Sequence, residues 1–334
     1  MTRHSLGPPG RDELGWTLDR HILERQRRIP GASGDFTGLF QSIALAGRVI
    51  ASKVAKAGLA DVLGATGAVN VQGETVQKLD ELANNVLVRC VEAGGHVCVM
   101  ASEEDESIIP VPPEYPAGKY VLMFDPLDGS SNIDTGAAVG TIFSVLRYDR
   151  RGDDPMASLL QRGAEQVAAG YILYGSSTVF VLTTGNGVSM FVLDPSIGAF
   201  LRVADGLRIP RSGKYYSCNE GNRLTFPEGY QRYLDWAQSQ SYSTRYSGTM
   251  VADVHRILLK GGVFLYPPTK KAPEGKLRLL YEGNPMAMIV EQAGGKAYAG
   301  PVRLMERVPT GIHQRTSVVM GSPDEVDHVL RHLA

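Results

Sequence analysis

Two short apolar runs in this chain stop abruptly in clustered acids, and no other feature constrains the fold as much. His96–Ala101 ends at Ser102-Glu103-Glu104-Asp105-Glu106, and Tyr120–Phe124 ends at Asp125-Pro126-Leu127-Asp128-Gly129. A run of this length bounded by turn chemistry reads as a buried strand. Layered proteins of helices and sheets display their chemistry at strand ends. More runs of the same kind follow at Val139–Leu146, Val167–Tyr174, Thr178–Thr184 and Val188–Leu193, separated by Gly-containing turns. Helices frame them. Phe36, Phe40, Ile43, Gly47, Ile50 and Val54 recur at steps of four and three, one helix face with Asp35 near its start and Gly58 at its end. A second helix is predicted over Thr75–Glu92, after a stretch at Gly64–Gly73 that reads as a loop with few anchors. Turn chemistry at residues 204–214 marks a boundary. Beyond it the pattern predicts helices at Pro227–Gln240, Met250–Leu259 and Pro285–Ala293, the last capped by Asn284, and a strand at Val263–Tyr266.

Composition narrows the classes. Lys plus Arg number 34 against 35 Asp plus Glu, a net charge of −1, so wholesale nucleic-acid binding is not expected. Apolar residues make up 43%, enough to bury a full core. The longest candidate membrane span, Ile43–Ala60, is broken by Arg48, Lys53 and Lys56. The N-terminus MTRHSLGPPGRDEL has no apolar secretory core. Three scattered cysteines, Cys90, Cys98 and Cys218, give neither a disulfide framework nor a zinc motif and suit a reducing cytoplasm.

The chemistry concentrates at Asp125-Pro126-Leu127-Asp128. Two carboxylates leaving one strand so close together repel each other unless a cation stands between them. Hard oxygen donors select Mg²⁺ or Mn²⁺ over zinc. Gly129-Ser130-Ser131-Asn132 offers backbone N–H groups and hydroxyls to an anion. Cation ligands beside an anion nest suggest metal-assisted chemistry on a phosphate. Alone, Glu103-Glu104-Asp105-Glu106 reads as a solvated charge run, and Asp80 and Glu282 as surface acids. His255 reads as a structural histidine, and His96 and His313 carry no metal spacing. A second group, Asn219-Glu220-Gly221, Arg245-Tyr246, Tyr266 and Lys276-Leu277-Arg278, has the cations and phenols that a second phosphate needs. The sequence does not bring its members together.

At FDPLDGSSNID (Phe124–Asp134) the chain resembles class I fructose-1,6-bisphosphatase. The likeness continues in order through KAGLADVLGATGAVNVQGETVQKLD (Lys56–Asp80), ASEED, GTIFSV, NEG, RYSGTMVADVHR (Arg245–Arg256), FLYP and GKLRLLYEGNPMA (Gly275–Ala287), from about residue 18 to the end. DPLDGS alone is shared in looser form with the inositol-phosphatase superfamily. The resemblance implies an α+β, layered αβαβα sandwich of the sugar-phosphatase type. It implies an N-terminal metal-binding and regulatory domain at 12–206 and a C-terminal sugar-phosphate domain at 207–334. It implies metal ligands at Asp80, Glu103, Glu104, Asp125, Asp128, Glu282 and the Leu127 carbonyl, with Mg²⁺ as cofactor and Mn²⁺ as the second candidate. Asp80 and Glu104 also position and deprotonate the attacking water. The 1-phosphate is expected at Asp128, Gly129, Ser130, Ser131 and Arg278. The 6-phosphate is expected at Asn219, Tyr246, Tyr266, Lys276 and an Arg245 from a neighbouring subunit, with Met250 beside the sugar.

The implied reaction is hydrolysis of fructose 1,6-bisphosphate to fructose 6-phosphate, in gluconeogenesis or carbon fixation, by a cytoplasmic homotetramer. AMP is the implied effector, at Ser33, Asp35, Thr37, Lys119, Tyr120 and Arg147, and the loop at 64–73 would gate the site. Two rival readings remain: a sedoheptulose-1,7-bisphosphatase, alone or as a second activity of a dual sugar bisphosphatase, and a catalytically silent nucleotide or sugar-phosphate sensor. The chain departs from the family pattern at Asn222 and Leu63, where aromatic residues are usual, and at Ser33 and Asp35, which stand for Thr and Glu.

Overall fold

The computed structural model describes residues 16–27, 34–57, 64–69, 75–148 and 155–334. Ser33, Gly58 and Leu63 lie outside the described residues.

One sheet of eight strands organises the first two-thirds of the chain. Its strands are β3 (Val97–Ser102), β4 (Ile109–Pro110), β5 (Tyr120–Asp128), β6 (Val139–Arg147), β7 (Ala168–Tyr174), β8 (Thr178–Thr183), β9 (Val188–Asp194) and β10 (Ala199–Leu207), in spatial order β10-β9-β8-β7-β6-β5-β3-β4. From β5 to β10 it is an antiparallel meander, while β3 and β5 run parallel. Three helices, α1 (Leu18–Gln26), α2 (Asp35–Val54) and α3 (Lys78–Glu92), cover one face. Phe40 of α2 packs on Phe143 of β6, and Phe143 on Phe180 of β8, with ring centroids 6.0 and 5.7 Å apart. Period-two alternation sends Phe143 and Val145 into this core and Ile142 to the opposite face.

That opposite face meets a middle layer of two helices, α6 (Met250–Lys260) and α7 (Asn284–Gln292). Val254, Ile257, Met286 and Ile289 pack there against Ile142 and Tyr171 on one side and Phe264 and Met320 on the other. The second sheet has six strands, in order β12-β11-β13-β18-β15-β16. These are β11 (Tyr215–Ser217), β12 (Ser243–Thr244), β13 (Val263–Tyr266), β15 (Lys296–Ala299), β16 (Val302–Arg303) and β18 (Val318–Gly321). Along β13, Phe264 joins the middle core while Val263 and Leu265 face outward to α5 (Glu228–Ser239) and α8 (Pro323–Leu333). The layers are therefore helix, sheet, helix, sheet, helix, as the αβαβα expectation holds. Outside these layers lie the antiparallel pair β1 (Ala65–Val69) and β2 (Thr75–Gln77), a short α4 (Pro155–Leu159), the pair β14 (Leu277–Arg278) with β17 (Arg315–Thr316), and several short 3₁₀ and π-helical turns. No helix among the described residues is long and apolar enough to cross a membrane.

Four local expectations change. Residues 65–69 form a strand rather than a loop, because the 75–77 backbone supplies its hydrogen-bond partner. Thr75 and Val76 are β-branched and stay extended, so α3 begins at Lys78 instead of Thr75. The turn-rich segment 204–214 still contains the end of strand β10, which reaches Leu207. Asn284 is not a cap: its φ and ψ of −64° and −49° are helical, and a π-helical turn at Leu279–Gly283 runs straight into α7.

Candidate active site

Asp125 and Asp128 lie within β5, not in a turn after it. Residues three apart on a flat strand point to opposite faces. Here Asp125 pairs with Ile142 and Asp128 with Gly140, so three steps on β5 match two on β6. That bulge returns both carboxylates to one side. Pro126 fits because β3 pairs with β5 only as far as Phe124, so its missing N–H breaks no ladder bond. The Pro126 carbonyl accepts instead from Thr141 Oγ1 at 2.8 Å. Asp125 Oδ1 accepts from the Leu127 N–H at 2.9 Å, and Asp128 Oδ2 from the Val251 N–H at 2.7 Å, at the start of α6.

Glu103 arrives by the parallel partner strand. Ser102 is the neighbour of Phe124, so Glu103 and Asp125 leave the same sheet edge. Glu282 arrives from the π-helical turn, a feature often found at functional sites. Its Oε2 accepts from the Arg278 N–H at 2.5 Å. Carboxylate oxygens of Asp125, Asp128 and Glu282 all lie within 4.8 Å of one another, and all three residues are buried. The Arg278 guanidinium bonds Glu103 at 2.5 Å and stands 4.0 Å from Glu282. Arg278 thus stands among the buried carboxylates of Glu103, Glu282 and Asp125. Burial, followed by Glu103, Asp128 and Glu282, drives the Asp125 carboxyl well above the usual range, and Arg278 only partly opposes them. Burial and Glu282 push Asp128 up to about 7, against the N–H groups of Val251 and Met250. Such a group either keeps protons or takes a cation. Hard, buried, convergent oxygens fit Mg²⁺ or Mn²⁺.

The segment read as an anion nest follows directly on β5. Gly129 has φ of +80°, and a Cβ there would sit 2.3 Å from Thr249 Oγ1, so only glycine fits. Ser130 and Ser131 open the 3₁₀ turn at Ser130–Thr135. Asn132 Nδ2 donates to Thr249 Oγ1 at 2.7 Å and to the Ser247 carbonyl at 3.0 Å, tying this turn to the chain before α6. Asp253 accepts from the Ser247 N–H at 3.0 Å. Asn132, Thr249 and Asp253 stood inside motifs noted in the sequence, but no pattern rule assigns them this joining role.

The remaining expected residues sit as follows. Asp80, buried, is in the first turn of α3 and accepts from the Gln77 N–H at 3.1 Å. Glu104 is half-buried, its N–H on Ser102 Oγ at 3.2 Å. Neither belongs to the three-carboxylate group, and Leu127 is buried between the two aspartates. Met250 is buried in the middle core at the α6 start. Tyr246 is raised by burial and by Asp253, against a hydrogen bond from Asn219, which places Asn219 and Tyr246 together. Arg245 is exposed and donates to the Thr244 carbonyl at 2.7 Å. Tyr266 ends β13, and Lys276 is exposed just before β14.

A third group collects at the other end of β5. Lys119 Nζ bonds Asp35 Oδ2 at 2.6 Å, Tyr120 pairs with Arg147, and Phe36 packs on Tyr120 at 5.3 Å. Thr37 Oγ1 donates to Gln26 at 2.5 Å. His255 is structural as read: Nδ1 lies 2.8 Å from the Tyr171 hydroxyl, and burial lowers its pKa to about 4.

A five-layered fold with convergent buried carboxylates that could hold a metal ion is the arrangement of the sugar-phosphatase class. Models of the fructose-1,6-bisphosphatase N-terminal and C-terminal domains match residues 16–205 and 209–334. The chain is 51% identical to a class 1 fructose-1,6-bisphosphatase of Pelodictyon phaeoclathratiforme and 52% identical to one of Chlorobium chlorochromatii, over 93% of this chain and 95% of each relative. The Leishmania major fructose-1,6-bisphosphatase in holo form superposes with a TM-score of 0.90 at 41% identity, covering 95% of this chain and 98% of that one. This chain belongs to the class 1 fructose-1,6-bisphosphatase family.

Proposed function

We propose that this chain, a phosphoric monoester hydrolase of carbohydrate metabolism, removes the 1-phosphate of D-fructose 1,6-bisphosphate to give fructose 6-phosphate and phosphate. The observation that carries the reading is the group of Asp125, Asp128 and Glu282 converging within 4.8 Å beside the Gly129 nest. Asp125, Asp128, Glu282 and Glu103 would hold Mg²⁺ or Mn²⁺, joined by Asp80, Glu104 and the Leu127 carbonyl. When bound, the cation supplies positive charge for the phosphoryl oxygens and lowers the pKa of coordinated water. Asp80 and Glu104 orient the attacking water and take its proton. The N–H groups and hydroxyls of Gly129, Ser130 and Ser131 orient the 1-phosphate, with Arg278 exchanging a carboxylate for a phosphate oxygen. Asn219, Tyr246, Tyr266 and Lys276 hold the 6-phosphate, and a second subunit of a homotetramer lends Arg245. Met250 lines the sugar.

The same reading divides the chain into a metal-binding and regulatory unit at 12–206 and a sugar-phosphate unit at 207–334. It places the enzyme in the cytoplasm, in gluconeogenesis or carbon fixation. It assigns the Asp35, Thr37, Lys119, Tyr120 and Arg147 group, with Ser33, to AMP. Support comes from the shared strand: Tyr120 opens β5 and Asp125 stands five residues on, about 17 Å away at strand rise. Phosphate release from fructose 1,6-bisphosphate, sedoheptulose 1,7-bisphosphate and inositol monophosphate tests the function. One phosphate per fructose bisphosphate, with fructose 6-phosphate as product, is expected. Preference for the seven-carbon sugar or the monophosphate would overturn it.

A further inference from the structure

Behind the acid-bearing strand ends lies a polar group that the reaction above does not use. Tyr281 Oη, Asn84 Oδ1 and both ring nitrogens of His313 are buried without a hydrogen-bond partner among the described residues. Such atoms are uncommon in native proteins, and each calls for an explanation. These converge on one short loop. Asn84, from α3, donates to Asp105 Oδ2 at 2.8 Å. The His313 ring packs on Tyr281 with centroids 5.5 Å apart. Burial lowers the His313 pKa, against the carbonyls of Glu106 and Asp105, which face the ring and favour its protonated form.

The backbone of His313 belongs to the other acid-bearing segment. The Leu279 N–H donates to the Gln314 carbonyl at 2.7 Å, and Arg278 and Leu277 pair with Arg315 and Thr316. His313 is therefore anchored by its chain to the stretch carrying Arg278 and Glu282. Its ring reaches the loop carrying Glu103 and Glu104. Those two segments come from different sheets, so no ladder fixes their spacing.

We propose that His313 is a positioning residue that clasps the Glu103–Glu106 loop to the Arg278–Glu282 segment and so sets the spacing of the carboxylates. In the cation-loaded protein one ring nitrogen donates to the Asp105 or Glu106 carbonyl, and Asn84 steadies Asp105 from the far side. Hydrogen bonds of a catalytic centre are often loose before loading and tighten on it. This rests on the cation site proposed above.

Equilibrium Mn²⁺ binding, followed by electron paramagnetic resonance on the full-length metal-free protein, tests the clasp apart from turnover. Wild type should bind Mn²⁺ and Asp128→Asn should not; failure of that pair sinks the cation site itself. With it in hand, His313→Leu should weaken Mn²⁺ binding about tenfold, the scale of one lost hydrogen bond. Half-saturating Mg²⁺ for turnover should rise in parallel, with KM for the sugar bisphosphate within about twofold. His313→Asn or His313→Gln, whose amides stand near the two nitrogens, should restore binding to within about threefold. If folded His313→Leu binds Mn²⁺ like wild type, or if it loses thermal stability alone, His313 is only packing. Equal weakening by Leu, Asn and Gln would also overturn the proposal. Should His313→Leu not fold, Asn84→Ala removes the hydrogen bond that steadies Asp105 in the clasp. It should weaken binding about threefold, and unchanged binding there would count against the clasp.

Discussion

The carboxylate group at the end of β5 and the cation group around Tyr246 and Lys276 are built on opposite terms. The acids are buried, held by sheet register and backbone N–H groups, and packed closely enough that burial and mutual repulsion raise Asp125 and Asp128 above the usual carboxylate range. The phosphate-binding candidates Asn219, Arg245, Tyr246 and Lys276 are exposed and sit on connecting segments. Buried like charge is costly until a cation arrives, so the first region is poised for a resident ion. Exposed groups pay little to stand apart and suit a ligand that comes and goes. The first region should therefore govern kcat and the second KM.

The sharpest break of that contrast is Asp128→Asn. Removing one ligand carboxylate should cut kcat by at least about 100-fold, more than loss of an outer-shell partner costs. A kcat within tenfold of wild type in a folded variant would separate these acids from the chemistry. Burial also couples the middle layer to pH. His255 has a folded pKa of about 4 against an ordinary 6.5. The unfolded chain therefore binds more protons, and the stability His255 contributes is complete above pH 6.5 and lost as pH falls toward 4. The loss should be on the order of 3 kcal/mol. Urea unfolding of wild type and His255→Gln across that window measures it, and equal slopes in both would contradict the assignment.

On the exposed side, Lys276→Ala should raise KM by about 1.5–3 kcal/mol, the range for a charged hydrogen bond, with kcat nearly unchanged. A fall in kcat with KM constant would invert the contrast. The smallest effect should be regulatory. If Lys119 helps bind AMP, Lys119→Ala should weaken AMP inhibition by about 1–3 kcal/mol of coupling. AMP dose–response curves at saturating Mg²⁺ check this, and identical curves for the two proteins would remove Lys119 from any effector site.

Local pattern carried much of this architecture. The step-of-four-and-three run from Phe36 to Val54 is α2, and most strands of the large sheet stand where apolar runs end at glycine turns. The closeness of Asp125 and Asp128 was readable too, though for a different reason. Sequence suggested a rigid turn, while the cause is a bulge set by pairing with β6, a partner that no local window contains. Glu282 is the harder case. Its neighbours read as an ordinary helix start, and a π-helical turn has no short-range signature. Only the family resemblance placed it with the aspartates. His313 carries no metal spacing in the sequence, and a clasp between segments of two sheets leaves no local pattern.

The most direct measurement is phosphate release from fructose 1,6-bisphosphate by the wild-type chain, titrated with Mg²⁺ after complete chelation. The buried carboxylates require that turnover vanish without divalent cation, return with added Mg²⁺, and yield fructose 6-phosphate with one phosphate per sugar. Turnover that persists undiminished in excess chelator would contradict the assignment of Asp125, Asp128 and Glu282.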